Sequence, residues 1–248
     1  MTLDANQDSI TPIMVYFGSL GNRIEGRYIK QKDPKSPVAL ILPPDPRCGG
    51  TIDNQIVKML ESIFVECGFT TLCINYQGFG KSEGVFRTTA DGVVTASASI
   101  DWLLRQNPEA SHYWIAGYSF GAYMAADLSM RRPEIEKFVF ISPLIEHFDF
   151  SFMSPSLCCG LITVGENDDY IDKKKLFKLV EDMNSGGYNI VVQYAVIPES
   201  DHRYIGKTQD LRDVIYNYVN IELATRIAKP VKKKRRKRQK KDVIYESE

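Results

Sequence analysis

The stretch "HYWIAGYSFGAYMAADLSM", residues 112–130, places one serine between two glycines as G-x-S-x-G, from Gly117 to Gly121. A β-like run from His112 to Gly117 leads in, and a helix-like run from Ala122 to Met130 leaves. A sharp strand-to-helix turn at Ser119 would hold that serine in a strained backbone conformation and require small neighbours. The pattern alone is weak, because an incidental serine in a glycine-flanked turn satisfies it equally well. What surrounds it decides between the two.

On both sides, strand-like apolar runs alternate with helix-length segments. "VALILPP" (38–44), "FTTLCINY" (69–76), "KFVFISP" (137–143), "CGLITVG" (159–165) and "NIVVQYAVI" (189–197) read as strands. Between or after them, helices are expected at 52–68, through 93–106, after Ser119 to about Met130, near 172–184 and at 208–228. The last has Ile215, Tyr218, Val219 and Leu223 on one face. Strands that are apolar throughout and separated by helices predict a mostly parallel sheet covered on both faces. The opening "PIMVYFGSLGNRIEGRYIK" predicts a hairpin around Leu20-Gly21-Asn22, adding antiparallel strands at one edge. Only about 16 residues lie between Pro143 and Cys159, too few for a lid domain.

Bulk composition bounds the function. The chain has 248 residues, enough for one large α/β domain with a filled core. No apolar run approaches the roughly 18 residues needed to cross a bilayer, and the N-terminus lacks a basic start and an apolar h-region. Five cysteines without C-x-x-C spacing fit reduced thiols and a cytoplasmic location better than a disulfide framework or a zinc site. The zero net charge hides an asymmetry: residues 229–248 hold ten basic and three acidic side chains, leaving 21 basic and 28 acidic in residues 1–228. The chain therefore divides into a mildly acidic domain, 1–228, and a basic tail, 229–248. An acidic body has no electrostatic reason to attract nucleic acid. The tail is too densely charged to bury a core and is expected to be disordered. Its basic part, 229–241, is expected to be either a solvated tail without a dedicated partner or a weak tether to nucleic acid or an anionic surface.

A serine hydroxyl needs an adjacent base to become a nucleophile near neutral pH. The chain has three histidines: His112, His147 and His202. His112 begins the strand before Ser119 and belongs at the far end of the sheet. His147 lies in the loop "IEHFDFSF", a surface or pocket-wall position. His202, in "IPESDHRYIG", follows the last strand and opens at the same end as Ser119. An imidazole, with an unperturbed pKa of about 6.5, can take and return a proton at neutral pH. A carboxylate must then orient it. "TVGENDDYID" offers Asp168, with Asp169 as the alternative. Ser, Asp and His then follow three different strands at their C-terminal ends, where open α/β sheets gather functional loops. "GFGKSEG" lacks P-loop spacing, and no G-x-G-x-x-G opens a helix after a strand, so no nucleotide cofactor is expected. Scattered acids such as Asp149 and Asp172 form no metal cluster, and a serine triad needs none.

With these blocks in order, residues 12–226 resemble the α/β-hydrolase superfamily, and in particular small lidless bacterial hydrolases related to dienelactone-hydrolase-like and esterase proteins. "NYQGFGKSEG" (75–84) resembles the family's glycine-rich segment, "GYSFGA" its nucleophile elbow, "GENDDYI" its acid loop and "SDHRYIGK" its histidine loop. "RCGGTIDN" (47–54) is similar to a loop that begins in the subgroup with two His-Pro pairs. The resemblance would put histidines at Pro43 and Asp45, where this chain has "PPDP". It also implies an oxyanion hole made by the backbone N–H of Phe120 and that of Asp45. A carboxylate at 45 would oppose a developing negative charge unless Arg47 neutralises it or it points into solvent. The "FDFSFM" segment (148–153) is either a pocket wall or packing against the sheet edge. The implied activity is serine hydrolysis of an ester, thioester or related acyl bond of a small-molecule substrate. The competing expectation is a non-catalytic protein of this fold, tethered through its basic tail.

Overall fold

A computed structural model describes residues 11–186 and 190–227. The segment 229–248, with the disorder and anionic partners expected of it, lies outside the described residues. The strands are β1 (Ile13–Ser19), β2 (Asn22–Ile29), β3 (Val38–Leu42), β4 (Thr70–Ile74), β5 (Tyr113–Tyr118), β6 (Lys137–Ile141), β7 (Cys159–Gly165) and β8 (Val192–Ile197). They form one sheet in the order β1-β2-β4-β3-β5-β6-β7-β8. β1 pairs antiparallel with β2, and β2 antiparallel with β4. Every other pairing is parallel.

The helices are α1 (Gln55–Glu66), α2 (Thr89–Gln106), α3 (Phe120–Arg131), α4 (Lys173–Met183) and α5 (Thr208–Ile227). Successive strand residues point to opposite faces, and both faces are covered. Val38, Leu40 and Leu42 of β3 join a core with α2, α3 and α4. Ala39 and Ile41 of the same strand join a second core with α1 and α5. This is why β3 to β7 read as unbroken apolar runs. The edge strand β8 differs, with Gln193 and Val196 exposed between buried Val192 and Ile197.

Helix ends follow local chemistry. The Asn54 side chain accepts from the amides of Ile56 and Val57, so α1 starts at Gln55 rather than at Ile52. Gly68, at φ 84°, lies just beyond its end. α2 begins four residues earlier than its apolar pattern indicates, because Thr88 and Asp91 form a capping box. Gly92 obscures that start in the sequence. It lies where α2 meets α3, and a Cβ there would fall 2.7 Å from Met124 Sδ, so that side chain would have to shift. The connection from β6 to β7 carries only a 3₁₀ turn at Ser151–Met153 and no inserted lid. The loops after β3, β5, β7 and β8 all leave the same end of the sheet.

Candidate active site

Ser119 stands between β5 and α3 with φ 57° and ψ −116°, a region that non-glycine residues rarely occupy. Its amide donates to the Ile141 carbonyl oxygen at 2.8 Å, and its own carbonyl accepts from the Ala122 amide at 3.0 Å. Both flanking glycines are sterically obligatory. A Cβ at Gly117 would lie 2.2 Å from the Gly121 carbonyl oxygen. One at Gly121 would lie 2.2 Å from the Leu42 oxygen and 2.6 Å from the Pro43 oxygen. The fold therefore forces the turn that lifts Ser119 to the sheet's rim.

His202 comes to the serine from the loop after β8, with Nε2 3.1 Å from Ser119 Oγ. Its Nδ1 is 2.8 Å from Asp168 Oδ2. Asp168 is fully buried, and its other carboxylate oxygen accepts from the Tyr170 amide at 3.1 Å. An ionised carboxylate only accepts, so the proton of a neutral imidazole resides on Nδ1 and the Nε2 lone pair faces the hydroxyl. The structure brings Asp168, not Asp169, to the imidazole; Asp169 is exposed. His147 is also exposed. His112 stands at the opposite end of the sheet beside Glu136.

Several main-chain and phenol contacts hold the histidine loop. The Asn167 amide donates to the Ser200 carbonyl oxygen at 2.8 Å, joining it to the acid loop. Gly165 permits this approach, because a Cβ there would sit 2.4 Å from that oxygen. The Tyr118 hydroxyl donates to the His202 carbonyl oxygen at 2.9 Å. Tyr204, fully buried with φ 56°, has its hydroxyl 2.8 Å from Ser142 Oγ. Burial raises the phenol pKa of both tyrosines, with the nearby Asp168 charge adding to the effect, so both stay neutral. Neither tyrosine's role is legible in the local sequence. Their partners are 84 and 62 residues away and carry no local signal.

On the other side of the serine, Phe120 opens α3, where first-turn amides have no carbonyl a turn back. The Asp45 carbonyl accepts from the amides of Cys48 and Gly50, each at 3.0 Å. Neither the Phe120 nor the Asp45 amide donates a hydrogen bond to another described residue. The Asp45 carboxylate turns back on its own loop. It accepts from the Arg47 amide at 2.9 Å and is bridged by the Arg47 guanidinium at 2.6 Å. Burial alone would raise the Asp45 pKa, but the Arg47 hydrogen bonds and charge outweigh it and hold the carboxyl below its ordinary value. The pairing is therefore the neutralised arrangement. Arg47 also lies 5.5 Å from the centroid of the Phe86 ring.

Two hollows flank Tyr170. One, of about 400 Å³, includes Glu146, Asp169, Asp172 and Lys175 in its wall. The other, of about 250 Å³, includes His202, Asp201 and Arg203. The Tyr170 ring centroid is 5.0 Å from that of His202. In the "FDFSFM" segment, Phe150 and Met153 are buried as packing residues, whereas Phe152 is exposed. Phe148 stacks on Tyr123 at 4.6 Å and meets Phe120 edge-on at 5.6 Å. Among the described residues, no three His, Cys, Asp or Glu side chains are arranged to hold a metal ion. No helix among them is long and apolar enough to cross a membrane.

The family model "Serine aminopeptidase, S33" matches residues 55–157, a span that includes Ser119 and stops before Asp168 and His202. An uncharacterized protein of Rickettsia prowazekii (strain Madrid E) is 39% identical over 208 residues, covering 83% of this chain and 87% of that one. The crystal structure of an α/β-hydrolase candidate of unknown function from Agrobacterium tumefaciens superposes with a TM-score of 0.83 at 37% identity. That match covers 86% of this chain and 97% of the other. A serine hydrolase without a lid from Xanthomonas campestris shares the fold, with a TM-score of 0.74 at 22% identity over 87% of this chain and 96% of that one.

Proposed function

Starting from the premise that the chain belongs to the α/β-hydrolase superfamily and is an enzyme of that type, we propose that it hydrolyses a carboxylic ester, thioester or related acyl bond of a small molecule through an acyl-enzyme. Ser119 Oγ attacks the acyl carbon as its proton passes to His202 Nε2. Asp168 holds the Nδ1 proton and stabilises the imidazolium without itself taking a proton. The carbonyl oxygen becomes an oxyanion and receives the amides of Phe120 and Asp45. The leaving alcohol or thiol departs with the proton from Nε2. Water then attacks the acyl carbon, giving up a proton to the same nitrogen. Collapse returns that proton to Ser119 and releases the acid.

One observation carries this reading: a continuous hydrogen-bond chain from Ser119 through His202 to Asp168, at 3.1 and 2.8 Å, ending on a fully buried carboxylate. The Asp45–Arg47 pair supports it further. The carboxylate at position 45, where the family resemblance implies histidine, is balanced by the Arg47 guanidinium, so it need not oppose the oxyanion. Treatment with a fluorophosphonate probe tests the proposal. Wild-type protein is expected to label at Ser119, with Ser119→Ala unlabelled and His202→Ala labelled far more slowly. No labelling of the wild type, or equal labelling of all three, would leave the fold as a binding scaffold.

A further inference from the structure

Tyr118 occupies the variable position of G-x-S-x-G immediately before the serine, with its side chain on the face opposite the aromatic cluster around Phe120. It is 5% exposed, and its ring centroid is 5.6 Å from that of His202. Its hydroxyl does not reach the serine or the imidazole nitrogens; it donates to the backbone carbonyl oxygen of His202 at 2.9 Å. The dipeptide Tyr118-Ser119, at the end of β5, thus carries the hydroxyl that meets Nε2 and a second hydroxyl that fixes the main chain of the same histidine.

We propose that Tyr118 is a positioning residue for His202, holding the imidazole at the serine through the histidine's own carbonyl. This inference rests on the hydrolase reading above. The alternative supports of the loop act elsewhere. The Asn167 amide holds Ser200, two residues upstream, Ser142 holds Tyr204, two residues downstream, and the amides of Tyr204 and Ile205 close a turn on Asp201 at 3.2 and 3.0 Å without touching His202 itself. No other hydrogen bond from a described residue reaches the His202 main chain. Without the phenol, the loop stays attached at both shoulders and keeps its Asp201–Tyr204 turn, while the His202 peptide loses the one hydrogen bond made to it directly. The imidazole can then leave the Asp168–Ser119 line by rotation of its own backbone. Displacements on the order of 1 Å cost about a hundredfold in well-aligned reactions, and partial loss of alignment is expected here because Asp168 still grips Nδ1.

The discriminating variant is Tyr118→Phe, which removes one oxygen and preserves the ring packing against His202. Fluorophosphonate labelling is expected to slow about tenfold, with the thermal midpoint nearly unchanged. For a turnover substrate, kcat should fall while KM holds. A second readout needs no activity: the proton shared by His202 Nδ1 and Asp168 is expected as a low-field nuclear magnetic resonance line that broadens in Tyr118→Phe. Labelling within twofold of wild type would overturn the proposal. So would a slowing that merely tracks the unfolded fraction in a melt. If wild-type protein fails to label at all, the hydrolase reading falls. The resonance then judges Tyr118 separately, and a line unchanged between wild type and Tyr118→Phe refutes the positioning role.

Discussion

Two histidine–carboxylate pairs stand at opposite ends of one sheet. At the C-terminal ends of the strands, His202 Nδ1 meets Asp168 at 2.8 Å. At the N-terminal ends, His112 Nδ1 meets Glu136 at 3.1 Å. The distances are similar, but the surroundings are not. The Asp168 side chain is 0% exposed and that of His202 15%, against 29% and 28% for Glu136 and His112. Beyond His202 stands a strained serine. Water reaches the second pair and weakens its electrostatic interaction. Pairing alone therefore does not make a base. A buried orienting acid and a hydroxyl on the far nitrogen distinguish the two.

The largest expected effect is at the site end. Asp168→Asn should lower kcat about 10⁴-fold by stabilising the wrong imidazole tautomer, whereas Glu136→Gln should leave kcat within about twofold, as expected for a surface pair away from the chemistry. Comparable losses in steady-state assays of the two variants would erase the distinction. Next comes Arg47→Ala, which leaves the Asp45 carboxylate unbalanced beside the proposed oxyanion. We expect kcat to fall about tenfold, on the order of one interaction with a partly screened charge. Asp45→Asn, which removes charge and keeps size, should fall less.

Smaller still is a stability effect with a defined pH window. The Asp45 carboxyl is depressed in the folded protein by Arg47. Its contribution is therefore present above the ordinary carboxylate range and disappears as pH falls through the lowered folded value. Because the Arg47 side chain is 49% exposed, the contribution should stay below about 1 kcal/mol. Denaturant titrations of wild type and Asp45→Asn should differ slightly at neutral pH and converge in acid. Divergence on acidification would reverse the assigned sign. Smallest of all, His112→Ala should leave labelling unchanged and shift stability by no more than about 0.5 kcal/mol.

Much of this arrangement is legible in the sequence because it rests on local rules. Unbroken apolar runs mark strands covered on both faces, and G-x-S-x-G marks the close approach of β5 and α3. The order of Ser119, Asp168 and His202 follows from loops leaving the same end of parallel strands. Three things escape such reading. The start of α2 is obscured because Gly92 answers to Met124, a tertiary neighbour 32 residues on. The hydroxyls of Tyr118 and Tyr204 escape for the same reason, since each finds a partner on another strand or loop through packing alone. The choice between Asp168 and Asp169 is likewise decided by which side chain turns inward, and sequence spacing cannot distinguish adjacent positions.

The bare backbone at Gly121 ties together pieces that are otherwise described apart. A methyl group there would press on the last oxygen of β3 and the first of the loop leading to Asp45. It would act as a wedge, prising the start of α3 from that loop and widening the gap between the two proposed amide donors. Gly121→Ala is thus a change whose harm is shared by scaffold and chemistry alike. No side chain fits at this position unless β3 itself gives way.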